Sequence, residues 1–206
     1  MTPADTPLSF TVFNGSFRIA QGPLQVVVLR AKRALDSGAA GPVLVFDDQT
    51  GRCVDIDTRG SDDEVVERLA ARLGLTAAQA AASEDADEPA NEPRGRGRPK
   101  LGVVAREVTL LPRHWAWLGA QPGGASVALR KLVDEARRMH GDKDRQRQAQ
   151  ERAYHFMLAV AGDLPGYEEA TRALFANDRA RFIDLVADWP GDLGEHATTL
   201  AFGDDV

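Results

Sequence analysis

One stretch near the middle of the chain lacks the large apolar side chains that a packed core requires. Residues 77–93 contain only Ala, Gln, Ser, Glu, Asp, Asn and Pro, without one large apolar side chain. A segment of this composition buries too little apolar surface to offset the entropy lost on ordering. We therefore expect a flexible acidic linker, assigned to residues 76–102, between two folded parts of a 206-residue chain.

The part before the linker, residues 1–75, has the pattern of a small α+β domain. Residues 8–20 alternate apolar with polar around Asn14-Gly15, which is a strong signal for a hairpin. Apolar residues at helical spacing follow Pro23, and a second hairpin is predicted over residues 43–57. Ser61-Asp-Asp-Glu64 is a capping box that opens a second helix, predicted to reach Leu73.

The part after the linker is predicted to begin with one short strand and to continue as helices. Residues 106–111 read as the strand, and residues 112–119 as a short helix. A longer helix is predicted over residues 126–140, after a turn at Gln121-Pro-Gly-Gly124. These elements define a segment at residues 103–141.

The last segment, residues 142–206, is predicted to be helical. A polar helix over residues 144–151 runs into the apolar residues 154–160, and two further helices are predicted over residues 165–175 and 178–187. The predicted fold class is therefore α+β, with a small N-terminal α+β domain, a linker, and a mostly helical C-terminal region opened by one short strand.

Charge is distributed very unevenly along the chain. The formal net charge is −6, which by itself argues against a nucleic-acid partner. Residues 94–152, however, carry 14 Lys and Arg against 6 Asp and Glu, a local charge of +8, and the rest of the chain carries −14. This separation indicates a basic working segment held between acidic bodies.

The most basic part of that segment is an arm over residues 94–100, with the sequence Arg-Gly-Arg-Gly-Arg-Pro-Lys. Guanidinium groups are attracted to the narrow minor groove of A·T-rich DNA, whose floor offers only acceptors. Glycine lets the backbone descend between the groove walls, and proline keeps the chain extended. The arm resembles the AT-hook, whose core Arg-Gly-Arg-Pro is present here as Arg96-Gly97-Arg98-Pro99. The resemblance implies binding to double-stranded, A·T-rich DNA through Arg94, Arg96, Gly97, Arg98, Pro99 and Lys100.

Residues 106–138 resemble a ribbon-helix-helix module on two stretches, the strand that ends at Leu110-Leu111-Pro112 and the helix that begins at Ser126. The resemblance implies a homodimer in which one strand from each chain pairs. The implied DNA contacts are Arg106, Ser126, Arg130 and Lys131. Neither alternating set in residues 106–111 is a polar trio, so we expect this segment to contact phosphates more than bases. The alternative is that its apolar residues form an ordinary packed core.

From Phe10 to Trp189 the chain also resembles an uncharacterised bacterial family, the domain of unknown function numbered 2239. The stretches that carry this resemblance are Val45-Phe-Asp-Asp-Gln-Thr-Gly-Arg52, Gly97-Arg-Pro-Lys-Leu-Gly102, Arg113-His-Trp115 through Ser126, and Glu168 through Leu174. This resemblance implies no activity.

Other kinds of chemistry find little support in the sequence. A turn explains Asp47 and Asp48 as well as a metal site would, and an exposed strand face explains Asp55 and Asp57 equally well. The four histidines lack the spacing of a metal site. We therefore expect no enzyme activity, no cofactor, no metal, no membrane span, and a cytoplasmic location. The predicted function is that of an accessory transcription regulator or nucleoid-associated DNA-binding protein. The alternative is a protein or RNA interaction module without preference for duplex DNA.

Overall fold

The computed structural model describes residues 8–75 and 106–203. The chain divides into two compact units. Of the described residues, 8–75 and 145–203 belong to the first unit, and 106–144 belong to the second.

The first unit contains one antiparallel sheet of four strands. In chain order the strands are β1 (Phe10–Asn14), β2 (Phe17–Gly22), β3 (Val43–Asp47) and β4 (Cys53–Val54). Their order across the sheet is β2-β1-β3-β4, so β1 is a central strand. The register between β1 and β2 is irregular between Val12 and Phe13.

Seven helices lie in the described residues. Two follow strands in the N-terminal part of the first unit, α1 (Leu24–Asp36) and α2 (Asp62–Leu73). The others are α3 (Pro112–Gly119), α4 (Gly124–Val160), α5 (Tyr167–Phe175), α6 (Arg179–Val186) and α7 (Leu193–Phe202). The mixture of sheet and helices confirms the predicted α+β class.

Both faces of the sheet are covered. On one face, Phe10, Val12 and Val45 contribute to a core with α1 and α2. On the other face, Phe13 and Phe46 contribute to a core with residues of the C-terminal helices. Because side chains alternate along a strand, successive residues of β1 belong to different cores.

The rings of Phe13, Phe46 and Phe156 form the centre of the second core. The centroid of Phe156 lies 5.4 Å from that of Phe13 and 4.9 Å from that of Phe46. The helical residues that join these phenylalanines in the core are Ala153, Met157, Ala161, Ala170, Ala173, Leu174, Phe182, Val186, Trp189, Leu193, Ala197, Leu200 and Ala201. The N-terminal sheet and the C-terminal helices thus share one core, although the sequence analysis placed them in separate segments.

The start of α2 is capped as predicted. The Ser61 side chain accepts a hydrogen bond from the Glu64 N–H, and the Glu64 carboxylate accepts one from the Ser61 N–H. At the other end, Gly74 adopts the left-handed conformation, with φ of 68°. These two caps satisfy backbone groups that a helix cannot satisfy internally.

The structure corrects four details of the sequence prediction. Residues 106–111 form no strand in this chain, because a strand needs a hydrogen-bonded neighbour and no described strand of the chain pairs with them. The second hairpin is shorter than predicted, since β4 has only two residues. Helix α4 continues through Gly141, which a helix interior tolerates at a cost of about 1 kcal/mol.

The fourth correction is helix α7, which the sequence analysis missed. Its buried residues, Leu193, Gly194, His196, Ala197, Leu200 and Ala201, share one side of the helix, but Gly194, Thr198 and Thr199 give this ten-residue segment a low helix propensity. Gly194 allows a close approach, because a Cβ there would lie 2.4 Å from the carbonyl oxygen of Val186.

Candidate functional site

The candidate site predicted from the sequence lies mostly around residues 87–144. Its arm, with Arg94, Arg96, Gly97, Arg98, Pro99 and Lys100, lies outside the described residues. Arg106 is described and exposed, and it precedes α3 in a segment without helix or strand.

The remaining predicted contacts lie on the first two turns of α4. Ser126, Arg130 and Lys131 are all exposed there. The Arg130 guanidinium folds back along the helix, donating from Nε to the Ser126 carbonyl oxygen at 3.1 Å and from Nη2 to Ser126 Oγ at 3.5 Å. The structure therefore brings Ser126 and Arg130 together at the start of the helix.

Two glycines define the turn that leads into this helix. Gly123 and Gly124 have φ angles of 88° and 73°, a conformation that other residues adopt only with strain. A Cβ on Gly123 would also lie 3.1 Å from the side chain of Val127. Glycine at these positions allows α4 to start directly after the short loop that follows α3.

Two further basic residues on α4 were missed by the sequence analysis. Arg137 and Arg138 lie seven residues after Arg130 and Lys131, and all four are exposed. A seven-residue step returns to nearly the same side of a helix, so these four side chains occupy about a third of its circumference. Arg137 and Arg138, together with Asp134, line a shallow surface cleft of about 460 Å³. We call Arg130, Lys131, Arg137 and Arg138 the basic face of α4; the seven-residue spacing is the signal that could have identified it.

Apolar side chains of the same helix segment are exposed as well: Leu132 and Met139 lie opposite the basic face, and Val133 lies at its edge, one turn before Arg137. Leu132, Val133 and Met139 have exposed fractions of 43%, 55% and 63%. On and before α3, large apolar side chains are exposed as well, namely Val108, Leu111, Trp115 and Trp117. Within the described part of residues 87–144, only Leu118 and Ala128 are buried hydrophobic residues. These seven exposed side chains, here called the apolar surface, are typical of a region that contacts another molecule.

The four aspartates that could have suggested a metal have other roles in the first unit. Asp47 accepts hydrogen bonds from the Gln49 N–H and the Thr50 hydroxyl within the β3–β4 turn. Asp48 accepts from Ser9 Oγ and Thr11 Oγ1, both at 2.7 Å.

The other two aspartates pair with arginines. Asp57 lies 2.7 Å from Arg59 and 3.4 Å from Arg68, and hydrogen bonds from Arg59 hold the pKa of Asp57 well below its usual range. Asp55 lies 3.4 Å from Arg72. Within residues 8–75 and 106–203, no three His, Cys, Asp or Glu side chains are grouped closely enough to hold a metal ion.

A buried polar pair in the first unit was not predicted. Nε2 of His196 lies 3.9 Å from Oδ1 of Asp48, and the imidazole is fully buried. Neither ring nitrogen has a hydrogen-bond partner among the described residues. Burial lowers the pKa of His196 from 6.5 to about 4, against the opposing effect of the Asp48 charge. The imidazole is therefore neutral near pH 7 and serves the packing of this core.

None of the described helices combines the length and the apolar composition that crossing a bilayer requires. The model of a family described as an uncharacterised protein conserved in bacteria, DUF2239, matches residues 9–201. No curated protein and no solved structure matches the chain.

Proposed function

This chain belongs to the bacterial family DUF2239, and we propose that it is a DNA-binding protein, an accessory transcription regulator or nucleoid-associated factor. The observation that carries the proposal is the succession, within one stretch of chain, of the arm at residues 94–100 and the basic face of α4. The arm supplies a preference for A·T pairs, and the basic face supplies phosphate contacts.

The chemistry of the arm is specific to the minor groove. Arg96 and Arg98 donate to adenine N3 and thymine O2 on the groove floor, while Arg94 and Lys100 contact phosphates at its edges. Gly97 admits the backbone between the walls. A G·C pair opposes this arrangement, because its N2 amino group projects into the groove.

The basic face of α4 suits a phosphate backbone. Arg130 and Arg137 are seven residues apart, which corresponds to about 10 Å along the helix. Lys131 and Arg138 repeat this spacing beside them. Duplex DNA carries one negative charge per roughly 1.7 Å of its axis, so such a row of cations meets several phosphates and releases their counterions.

We further propose that the apolar surface packs against the same surface of a second copy of the chain. Burial of Leu132 and Met139 between two copies leaves each basic face on the outside, available to DNA. Pairing of residues 106–111 from the two copies would supply the hydrogen-bonded neighbour that this segment lacks in a single chain.

The arm is tested by fluorescence anisotropy with an A·T-rich and a G·C-rich duplex over a series of salt concentrations. The double variant Arg96→Ala/Arg98→Ala should bind the A·T-rich duplex at least about tenfold more weakly, because it loses the minor-groove donors. The matched control is Arg30→Ala/Arg33→Ala, which removes the same charge from exposed positions on α1. Equal loss in both variants, or no binding by the unmodified chain, would overturn the proposal.

The basic face is tested separately by Arg137→Gln/Arg138→Gln. This variant should weaken binding to both duplexes alike and reduce the slope of log K against log salt by about 1 to 2, because each lost phosphate contact lowers the slope by about 0.9. An unchanged slope would show that the basic face does not contact DNA. It would leave the test of the arm unaffected, because that test uses a different variant.

The homodimer is tested by multi-angle light scattering. The mass should be about twice the 22.3 kDa of one chain, and Leu132→Glu should reduce it to that of one chain. The control is Leu35→Glu, which places the same charge at an equally exposed leucine of α1 and should leave the dimer intact. A single-chain mass for the unmodified protein would refute the dimer.

A second candidate function, binding of single-stranded RNA or of another protein, is favoured by Trp115 and Trp117. Both indole rings are exposed on α3, and exposed aromatic rings stack on unpaired bases or anchor protein contacts. The same anisotropy titration with a single-stranded RNA separates the candidates. Tighter binding to RNA than to either duplex, abolished by Trp117→Ala, would favour the second.

A further inference from the structure

The first unit contains a polar cleft that the proposed DNA-binding function does not use. It has a volume of about 480 Å³ and lies between the β3–β4 turn and the C-terminal part of α4. The helix contributes Gln148, Glu151, Arg152 and His155, whose spacing places them on one side of α4. The turn contributes Thr50 and Arg52.

The two walls of the cleft are held together by a backbone contact. Gly51 has φ of 66°, and a Cβ at this position would lie 1.8 Å from the carbonyl oxygen of Arg152. The turn therefore rests directly on the helix backbone. Within the turn, the Asp47 carbonyl oxygen accepts a hydrogen bond from the Gly51 N–H at 2.7 Å, which fixes the positions from which Thr50 and Arg52 extend.

Two guanidinium groups in the cleft lack carboxylate partners. Among the described residues, neither Arg52 nor Arg152 has a carboxylate oxygen within 4.0 Å. Arg52 instead donates from Nη2 to His155 Nε2 at 3.1 Å, so this imidazole nitrogen acts as the acceptor. The acid of the cleft, Glu151, is directed to Arg147 at 4.0 Å.

Arg152 is the more constrained of the two arginines. It is partly buried, and its Nε donates to the Leu200 carbonyl oxygen at 2.5 Å. Burial lowers the pKa of the guanidinium, and the charge of Asp48 opposes this effect. A partly buried cation without a close counter-charge is an unfavourable arrangement that a bound anion would relieve.

A second cleft in the same unit provides a contrast. It has a similar volume, about 500 Å³, and is lined by Arg59, Arg68 and Arg72. Each of these arginines lies within 3.4 Å of Asp55 or Asp57, which line the same cleft. The two clefts carry the same formal charge, +1, but every arginine of this second cleft is paired with a carboxylate, whereas Arg52 and Arg152 are not.

We propose that the cleft between the β3–β4 turn and α4 binds a small molecule through an oxyanion, either a phosphoryl group or a carboxylate. Arg52 and Arg152 contact the oxyanion, and the Thr50 hydroxyl and the Gln148 amide supply neutral donors. The volume corresponds to a small metabolite and exceeds that of a lone inorganic ion.

The experiment is a titration of the full-length protein with inorganic phosphate and, separately, with citrate, at constant ionic strength maintained with sodium chloride. Binding is followed by ¹H–¹⁵N NMR spectra and by calorimetry. Saturable binding of either anion is expected, with shifts that include the amides of Thr50 and Arg52. Phosphate binding alone identifies a phosphoryl ligand, and citrate binding alone identifies a carboxylate ligand.

Variants assign the binding to this cleft. Arg52→Gln should weaken it by about tenfold or more, because one charged hydrogen-bond donor is lost at an exposed position. The control Arg30→Gln removes an exposed positive charge from α1 and should leave the affinity for the anion unchanged. Arg152→Lys keeps the charge but loses the guanidinium fork, and it should also weaken binding.

Two results would overturn the proposal. One is the absence of saturable binding of both anions to the unmodified protein, and the other is equal affinity in Arg52→Gln and Arg30→Gln. Neither result bears on the DNA titrations, because those depend on residues 94–138.

Discussion

The imidazole of His196 lies edge-on between the rings of Phe13 and Phe156, with centroid distances of 5.3 and 4.7 Å. Burial among these rings lowers its pKa to about 4, below the value of 6.5 expected in the unfolded chain. Above pH 6.5 the His196 imidazole is neutral in both the folded and the unfolded state. As the pH falls from 6.5 towards 4, the unfolded state takes up a proton that the folded state does not, so stability is lost over this interval.

The first prediction concerns this pH dependence. Between about pH 7.5 and about pH 5, the unmodified protein should lose roughly 2 kcal/mol of unfolding free energy more than His196→Leu, which cannot take up the proton. Urea unfolding at several pH values measures the difference. His140→Leu, which removes an exposed imidazole, serves as the control and should retain the full pH dependence. Parallel pH profiles for the unmodified protein and His196→Leu would contradict the assignment.

A second prediction at this scale concerns Gly51. Gly51→Ala adds strain from a positive φ and places a methyl group against the Arg152 carbonyl oxygen, so the free energy of unfolding should fall by about 3 kcal/mol or more. Gly38→Ala is the matched control, because Gly38 has φ of 75° but no atom within 4 Å of its Cβ position. In denaturant unfolding, the free energy of unfolding of this control should fall by about 1 to 2 kcal/mol. Similar losses in the two variants would show that the turn does not rest on α4.

At the scale of elements, helix α4 runs for 37 residues and includes a glycine in its interior. Gly141→Ala should therefore raise stability by about 0.5 to 1 kcal/mol and increase helical circular dichroism, because alanine loses less backbone entropy in a helix. Thermal unfolding monitored by circular dichroism provides the measurement. Gly119→Ala, at the end of α3, should give a smaller gain. A loss of stability in Gly141→Ala would instead indicate that the helix ends at this glycine, as the sequence had suggested.

At the scale of the first unit, the shared core predicts that sheet and C-terminal helices unfold together. Phe156→Ala removes the ring that contacts Phe13 and Phe46 and should lower the unfolding free energy by about 3 to 5 kcal/mol. Far-UV circular dichroism and the fluorescence of the buried Trp189 should report the same transition in this unit. Phe17→Ala, at a ring with 63% of its surface exposed, should cost less than about 1 kcal/mol. Separate transitions for sheet and helices would contradict the shared core.

Local features of this protein could be predicted from its amino-acid sequence. The hairpin at Asn14-Gly15, helix α1 after Pro23 and the capping box at Ser61 were all predicted and are confirmed, because turns and caps depend on neighbouring residues. The basic arm is likewise a property of the sequence, and its role in binding DNA stays a prediction. The turn explanation offered for Asp47 agrees with its hydrogen bonds to Gln49 and Thr50, which are also local.

Contacts between residues distant along the chain depend on how the elements pack and could not be predicted in this way. No local pattern indicates that Asp48 lies beside His196, or that Arg52 of a turn faces Arg152 of a helix, because these contacts arise only when the C-terminal helices cover the sheet. Helix α7 was missed for a different reason, since Gly194, Thr198 and Thr199 have low helix propensity and the helix is held by the packing of its apolar side. Local chemistry therefore determines most elements and the arm, while packing of the C-terminal helices on the sheet creates the second core and the cleft lined by Arg52 and Arg152.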